Sequence, residues 1–240
     1  MKKDDSFKQG VIACLPTLLG YLSIGFAAGI VEKTAGLSLL EIALLCLLLY
    51  AGSGQFILAG MVLNGFALIP AVATIFFVNL RHLLFSAALS PYFRGLPPLR
   101  SFAIGSLLTD ETFGVATNHI STHKLQALNE KWMHGLNLTA YLGWFAANMA
   151  GAFLGQWITD PTVWGMDFAL PGMFIGLLVL QMSSRRELLI DLVVAVSAIA
   201  AVIAASLVLS SSAGIIIATV IGATVGMVME RWKSASTSSS

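Results

Sequence analysis

Long apolar stretches without a charged residue alternate with short polar segments along this chain. No Asp, Glu, Lys or Arg occurs from Gln9 to Val31, from Ile42 to Leu80, or from Leu192 to Met229. A membrane-spanning helix needs about 20 consecutive, mainly apolar residues. The first stretch therefore accommodates one span, and each of the other two accommodates two.

The pattern predicts an all-α integral membrane protein with about eight transmembrane helices. Segments rich in Asn, Gly, Pro and Ser separate the apolar runs and indicate turns. The predicted helices lie at residues 10–30, 39–62, 67–90, 101–120, 135–158, 167–183, 187–209 and 213–230. They form one multi-pass transmembrane domain, 10–230, between a cytoplasmic N-terminus, 1–9, and a disordered cytoplasmic tail, 231–240.

Basic residues predict the orientation, because Lys and Arg concentrate at the cytoplasmic ends of spans. With both termini inside, nine basic residues flank the inner ends and three flank the outer ends. The nine are Lys2, Lys3, Lys8, Lys124, Lys131, Arg185, Arg186, Arg231 and Lys233, and the three are Lys33, Arg94 and Arg100. This orientation predicts that the loop from Pro91 to Pro98 lies outside.

Composition excludes several classes of protein. Hydrophobic residues make up 57% of the chain and charged residues only 10%, with a net charge of +1. An average soluble domain is nearer a quarter charged, so neither a soluble enzyme nor a disordered chain fits, and nothing indicates a nucleic-acid partner. The sequence has no HExxH, phosphate-binding or dinucleotide motif, and Cys14 and Cys46 lack metal-site spacing. We therefore predict neither enzyme activity nor a metal or cofactor.

A weak internal repeat is visible. GYLSIGFAAG in the first helix resembles AYLGWFAANMAG in the fifth, and GLSLLEIALLCLLLY resembles GMDFALPGMFIGLLV. An offset of four spans would give two similar halves in the same orientation, an arrangement found in transporters. Apolar composition alone produces such matches equally well, so both interpretations stay open.

Three ionisable residues lie inside predicted spans, where a charge is expensive. Arg81 lies about nine residues from the outer end of the third helix, and Asp110 lies equally far from the outer end of the fourth. At 1.5 Å per residue both are roughly 14 Å deep, so they can pair near the midplane. Glu111 lies beside Asp110. The pair is either a structural link between two helices or part of a polar cavity.

Neighbouring polar residues favour the polar cavity. Asn79 and His82 flank Arg81, and a purely structural pair would not require a second carboxylate. We therefore predict a polar site in which one set of residues binds substrate and another couples transport to protons. The substrate-binding candidates are Ser53, Gly54, Gln55, Asn79 and Arg81, and the proton-coupling candidates are Asp110, Glu111 and His82.

The segment YAGSGQF, residues 50–56, interrupts the second helix with Gly52, Ser53 and Gly54. Each glycine weakens a helix by about 1 kcal/mol, and transporters use broken helices to present free backbone groups to a substrate. Close packing through small residues is the alternative. We favour a broken helix here, and we predict helix packing for Gly25 and Gly29.

With these motifs identified, the chain resembles the AzlC family, the large subunit of bacterial branched-chain amino acid exporters. The matching motifs, in order, are Pro16 with GYLSIGFAAG, then YAGSGQF, NLRHLLFSAALSP, LLTDETFG and GMDFALPGMF. The positions of this chain within those motifs include Ser53, Gln55, Asn79, Arg81, Asp110, Glu111, Asp167 and Phe168.

The resemblance implies export of leucine, isoleucine and valine, and often of methionine, across the cytoplasmic membrane, driven by the proton motive force. It also implies a small membrane partner similar to AzlD. A second hypothesis remains: a membrane scaffold that transports nothing and whose polar core only holds helices together. Measuring substrate efflux with and without the small partner separates the two.

Overall fold

The computed structural model describes residues 6–158 except 64 and 66, a scattered set between 160 and 182, and residues 188–207 and 211–237. The chain divides into two compact units, Met1–Leu177 and Leu178–Ser240. All secondary structure in the described residues is helical, which confirms the predicted fold class. Asp167 and most of the helix predicted at 167–183 lie outside the described residues.

Residues 6–158 of the first unit form seven α-helices. They are α1 (Phe7–Thr34), α2 (Leu39–Leu44), α3 (Gly52–Leu63), α4 (Leu68–Leu89), α5 (Pro98–Gly105), α6 (Asp110–His123) and α7 (Glu130–Gly155). A π-helical segment, Leu45–Leu49, continues α2, and a 3₁₀ turn, Ser90–Phe93, follows α4.

Three described helices are long and apolar enough to cross a membrane. They are Phe7–Thr34, Ile69–Phe93 and Leu188–Ala205. The eight-helix prediction is therefore not confirmed.

Helices α1 and α7 pack against each other along most of their lengths and run parallel. A Cβ at Gly10 would overlap the carbonyl oxygen of Trp132, near the start of both helices. A Cβ at Gly29 would overlap that of Asn148, near the end of both. Glycine allows this close backbone approach. The predicted packing role of Gly29 is confirmed, and the shared direction agrees with the orientation that the repeat requires.

The first hairpin consists of α2, the π-helical segment and α3. It begins where α1 ends, with Ser38 and Glu41 forming a capping box at the start of α2. The amide of Gln55 donates to Cys46 Sγ across 3.3 Å, although nine residues separate them. A continuous helix would place them about 13.5 Å apart along its axis. The chain therefore bends back sharply at Tyr50 and Ala51.

Helix α3 then runs back toward the end of α1, where α2 begins. Gln55 also donates to Glu32 Oε1 at 2.9 Å, and Glu32 lies in the last turn of α1. The first hairpin is thus re-entrant: it enters and leaves at the end where α1 ends. A break within the helix predicted at 39–62 is confirmed, but its interpretation as a full span is wrong.

Helix α4 runs in the direction opposite to α1. The 3₁₀ turn that follows it lies beside the residues just before α7, because Leu128 N donates to Tyr92 O at 3.0 Å. The beginning of α7 packs on the beginning of α1, where a Cβ at Gly135 would overlap the carbonyl oxygen of Phe7. The loop from Pro91 to Pro98 is therefore at the same end as the start of α1. The prediction that this loop and the N-terminus lie on opposite sides is wrong.

The second hairpin consists of α5 and α6, and it enters from the end where α1 begins. Arg100 at its base pairs with Glu130 at 3.4 Å. Asn137, farther along α7, donates to Ile104 O at 2.9 Å, so α5 rises alongside α7. Helix α6 then descends, because its His119 ring stacks on Trp132 with centroids 4.3 Å apart.

The helix predicted as one span at 101–120 is therefore two short helices, separated by residues 106–109. Asp110 and Glu111 are not in the middle of a helix but in the first turn of α6. Apolar length cannot distinguish a re-entrant hairpin from a spanning helix, because both need a similar number of apolar residues. This is why both hairpins were predicted as spans.

The second unit contains α8 (Leu188–Ser206) and α9 (Ser211–Thr237) among its described residues. They run antiparallel: Gly222 faces Ala198, and Gly226 faces Val194. Their positions agree with the helices predicted at 187–209 and 213–230, and α8 is among the described helices that are long and apolar enough to cross a membrane. Helix α9 continues to Thr237, into the segment predicted to be a disordered tail.

Candidate functional site at the tips of the two hairpins

The tip of the first hairpin has a strained backbone. Tyr50 has φ 44° and ψ 49°, a left-handed conformation that costs a residue with a Cβ roughly 1–2 kcal/mol. Gly52 then begins α3, and a Cβ at this position would lie 2.8 Å from Cη2 of Trp144. Such strain is characteristic of functional sites. The turn at Tyr50 places the beginning of α3 directly against Trp144.

The tip of the second hairpin is a capped helix N-terminus. The Thr109 hydroxyl accepts from Thr112 N at 3.2 Å, and Thr112 Oγ1 accepts from Thr109 N at 2.9 Å. Asp110 and Glu111 follow in the first turn, where the helix dipole favours carboxylates. Asp110 and Glu111 therefore lie at the N-terminal end of α6, where the helix dipole stabilises negative charge.

Arg81 of α4 joins the two tips. Its Nη1 lies 2.9 Å from Asp110 Oδ2, and its Nη2 donates to Ser53 Oγ at 2.6 Å. The side chains of Arg81 and Asp110 are 19% and 12% exposed. The predicted pairing of these two residues is confirmed. The predicted direction of α4 was wrong. Arg81 and Asp110 still lie at equal depth, because this requires only that the chain turns back after α4.

Tyr21 of α1 closes the site from a third side. Its hydroxyl donates to Glu111 Oε2 at 2.8 Å and lies 2.7 Å from the hydroxyl of Thr109. Its ring meets that of Trp144 edge-on, with centroids 5.3 Å apart. The carboxylate of Glu111 is thus held by a neighbouring helix.

The two tips surround a small polar pocket. It is lined by Tyr21, Tyr50, Ala51, Gly52, Ser53, Arg81, His82, Thr109, Asp110, Glu111 and Trp144. The cavity at its centre is about 20 Å³, enough for about one water molecule and too small for an amino acid. We refer to this arrangement, in which the pocket has little free volume, as its closed state.

Five of the eight predicted site residues line the pocket: Ser53, Arg81, His82, Asp110 and Glu111. The remaining three, Gly54, Gln55 and Asn79, lie just outside it. Gly54 faces the Asn79 amide, with 3.3 Å between the Asn79 nitrogen and a Cβ built on Gly54. The roles assigned to all eight residues stay predictions.

Gln55 belongs to a buried polar network behind the pocket. Its amide nitrogen donates to Glu32 Oε1 at 2.9 Å, and its amide oxygen accepts from Trp144 Nε1 at 2.8 Å. Glu32 and Gln55 are completely buried. Because Trp144 also lines the pocket, this network connects the site to the end of α1.

Sequence reasoning missed Tyr21, Tyr50, Trp144 and Glu32. A signal for the aromatic residues was available, since a Tyr or Trp inside an apolar helix needs a partner for its polar atom. Glu32 was missed for another reason. The first span was predicted to end near residue 30, which placed Glu32 in the adjoining loop, whereas α1 continues to Thr34.

Comparison with known proteins connects this architecture to a membrane protein family. The family model described as AzlC protein matches residues 16–158, which contain both hairpins and Arg81. An uncharacterized membrane protein of Archaeoglobus fulgidus is 30% identical over 189 residues, 78% of this chain and 80% of the relative. The inner membrane protein YgaZ of Escherichia coli is 28% identical over 215 residues, 88% of this chain and 87% of the relative.

A third relative carries a transport name. The branched-chain amino acid transport protein AzlC of Bacillus subtilis is 24% identical over 182 residues, 76% of this chain and 70% of the relative. No solved structure matches the chain.

Proposed function

The chain belongs to the AzlC family, and from this premise we propose that it is a secondary transporter that exports branched-chain amino acids across the cytoplasmic membrane of a bacterium. Leucine, isoleucine and valine are the proposed substrates, with methionine as a further one. The observation that carries the proposal is the Arg81 guanidinium, which bridges the tips of two re-entrant hairpins inside a polar pocket.

In this proposal the substrate carboxylate binds between Arg81 and the beginning of α3. The first N–H groups of a helix lack intrahelical partners and carry the positive end of its dipole. The first turn of α3 contains no acidic residue, so this positive end is available to an anion. Ser53 and Gly54 present the N–H groups, and Asn79 lies beside them.

The ammonium group binds at the opposite tip, where Asp110 and Glu111 supply negative charge. The negative carboxylate of a zwitterion therefore lies against positive groups, and its positive ammonium group lies against negative ones. Asp110, Glu111 and His82 are also the residues that we propose to exchange protons during transport. The apolar side chain packs among the rings of Tyr21, Tyr50 and Trp144.

Transport requires the hairpins to move, because the closed cavity does not admit a substrate. The first hairpin enters from the end where α1 ends, and the second enters from the end where α1 begins. Moving one hairpin opens the site to one side of the membrane only. Movement of the two hairpins in turn supplies alternating access, with Arg81 at the point where they meet.

The distribution of basic residues supports a cytoplasmic location for the end where α1 begins. Five described basic residues lie at this end, and Lys33 lies at the other. The five are Lys8, Arg94, Arg100, Lys124 and Lys131. Two of them, Arg94 and Arg100, were expected outside, so the re-entrant topology strengthens the asymmetry. We propose that the N-terminus is cytoplasmic and that the C-terminus is as well.

We also propose a small membrane subunit similar to AzlD as a partner. The support is the family resemblance of the chain. The chain expressed alone then exports little leucine or valine, and coexpression with the partner restores export.

Leucine exchange in inside-out membrane vesicles tests the proposal. Arg81→Gln removes charged hydrogen bonds to the substrate, so we expect exchange to fall by about tenfold or more. Arg100→Gln is the matched control, because the Arg100 side chain is 62% exposed and its ion pair lies at the base of a hairpin. Wild-type exchange by Arg81→Gln contradicts the proposed site. Absence of exchange by the wild-type chain with its partner favours the scaffold hypothesis.

A further inference from the structure

Glu32 is a buried carboxyl group that the proposed substrate site does not use. It is completely buried, and its Oε1 accepts from Gln55 Nε2 at 2.9 Å. Within the described part of the chain, its Oε2 has no hydrogen-bond partner, and no basic side chain forms an ion pair with it. The adjacent Lys33 donates instead to the carbonyl of Leu37 at 3.3 Å.

The groups around Glu32 are polar but uncharged. The first hairpin contributes the Gln55 amide and the Cys46 thiol, which hydrogen bond to each other. From α7, Trp144 bonds to Gln55, and one turn farther Asn148 is completely buried with no partner for either side-chain polar atom among the described residues. The titratable group facing Glu32 from these elements is the Cys46 thiol. Glu41 and Lys33 lie at the open base of the hairpin.

A carboxylate in these surroundings lacks a counter-charge, and a buried charge without one is strongly unfavourable. A cation must therefore neutralise it while the site is closed. A metal cation needs several ligands, and the described part of the chain contains no group of three or more His, Cys, Asp or Glu side chains that could hold one. A proton needs no ligand beyond the carboxyl group itself.

We propose that Glu32 binds and releases one of the protons that drive transport, and that this proton controls the first hairpin. The proposal rests on the proposed transport function. In the closed state the proton is bonded to Oε2, and the neutral acid packs against the hairpin. When the hairpin opens, water reaches Glu32 and the proton leaves to it as H⁺. The remaining carboxylate opposes closure until it binds another proton.

The network provides the connection to the substrate. Gln55 lies one turn into α3, the helix whose beginning binds the carboxylate in the proposed mechanism. Its other partner, Trp144, lines the pocket. A change at Glu32 is therefore transmitted through one amide to both a wall of the site and the moving hairpin.

Glutamine has the shape of the protonated acid and cannot release a proton, so Glu32→Gln is the informative variant. The assay uses inside-out vesicles that contain the full chain with its partner, clamped at zero membrane voltage, with a lumen one pH unit more acidic than the medium. Each coupled proton then contributes about a factor of ten to the leucine accumulation ratio, since a tenfold ratio corresponds to about 1.4 kcal/mol. We expect Glu32→Gln to lower this ratio about tenfold and to leave leucine exchange without a gradient within twofold of wild type.

Two further variants complete the test. Glu41→Gln, at an exposed carboxylate of the same hairpin, is expected to accumulate leucine like wild type. Glu32→Asp keeps a carboxyl group and is expected to accumulate more leucine than Glu32→Gln. Failure of Glu32→Gln to fold overturns the inference, because the neutral isostere should suit the closed state.

Wild-type accumulation by Glu32→Gln, or loss of exchange in the folded variant, also overturns the inference. Absence of leucine exchange in the wild-type vesicles would contradict the proposed transport function itself. The two failures are therefore distinguishable.

Discussion

Ser53 and Asp110 lie on hairpins that enter the bundle from opposite ends, yet both contact the same guanidinium. Arg81 reaches Ser53 Oγ at 2.6 Å and Asp110 Oδ2 at 2.9 Å. One side chain on a spanning helix therefore connects two re-entrant elements. A substrate that binds this guanidinium competes with the contacts that hold the tips together, which links binding to movement.

Neutralising the central ion pair separates a structural role from a functional one. Arg81→Gln combined with Asp110→Asn removes both charges of the pair together, so neither partner is left buried without the other, and we expect membrane abundance near that of wild type. We expect export to stay at least about tenfold below wild type, because the substrate carboxylate loses its charged partner. Abundance is measured by fluorescence-detected gel filtration and export by leucine efflux.

Arg81→Lys sharpens this test, because an ammonium group does not reproduce the planar fork of guanidinium. We expect it to export poorly as well. The matched control is the double variant Arg100→Gln with Glu130→Gln, which neutralises the exposed pair at the base of the second hairpin. Normal uphill export by the variant that combines Arg81→Gln with Asp110→Asn would show that the Arg81–Asp110 pair is only structural.

The re-entrant topology predicts a specific pattern of cysteine labelling in a background without Cys14 and Cys46. Ser38→Cys lies where α1 ends, and Arg94→Cys lies at the end where α1 begins. We expect an impermeant thiol reagent to label the first in intact cells and the second only after permeabilisation. If both hairpins were full spans, both cysteines would be labelled in intact cells.

The tip of the first hairpin should not tolerate a methyl group. At Gly52 a Cβ would lie 2.8 Å from the ring of Trp144, so Gly52→Ala must displace a wall of the pocket. Overpacking of this kind costs roughly 1–3 kcal/mol, and we expect export to fall about tenfold or more. Gly114→Ala on α6, where nothing lies within 4 Å of the added carbon, is expected to export normally. Equal leucine efflux from the two variants would argue against a rigid tip.

The contact between α1 and α7 predicts a stability effect that is separate from transport. A Cβ at Gly29 overlaps the backbone carbonyl of Asn148, which cannot move aside as a flexible side chain could. We expect Gly29→Ala to destabilise the protein by roughly 1–3 kcal/mol. Gly20→Ala, on an open face of α1, is the control. The measurement is the melting temperature of the purified protein in detergent, and equal values for both variants would contradict this packing.

Composition and spacing were sufficient to predict a helical membrane protein and the contact between Arg81 and Asp110. Charge in an apolar segment must be compensated, and the short connection between α4 and α5 left Asp110 as the nearest opposite charge at equal depth. The glycines of YAGSGQF also predicted a break close to its observed position at Tyr50 and Ala51.

The direction of the helices could not be predicted in the same way. Two hydrophobic segments of nearly spanning length fold back at their centres, and only contacts distant in sequence reveal this. Those contacts are Gln55 with Glu32 for the first hairpin and His119 with Trp132 for the second. Counting the first hairpin as a full span reversed the predicted direction of α4. Counting the second hairpin as a full span reversed the direction again for the helix that follows it. The predicted direction of α7, parallel to α1, was therefore correct.

The most direct measurement of the central claim, that substrate binds between the two tips, is the modification rate of a cysteine at Ser53. In membranes that contain Ser53→Cys without the native cysteines, we expect leucine to slow modification by a small thiol reagent. A cysteine at Ser90, at the cytoplasmic end of α4 in the proposed orientation, should react equally fast with and without leucine. An unchanged rate at position 53, in membranes that still exchange leucine, would contradict a substrate site at the hairpin tips.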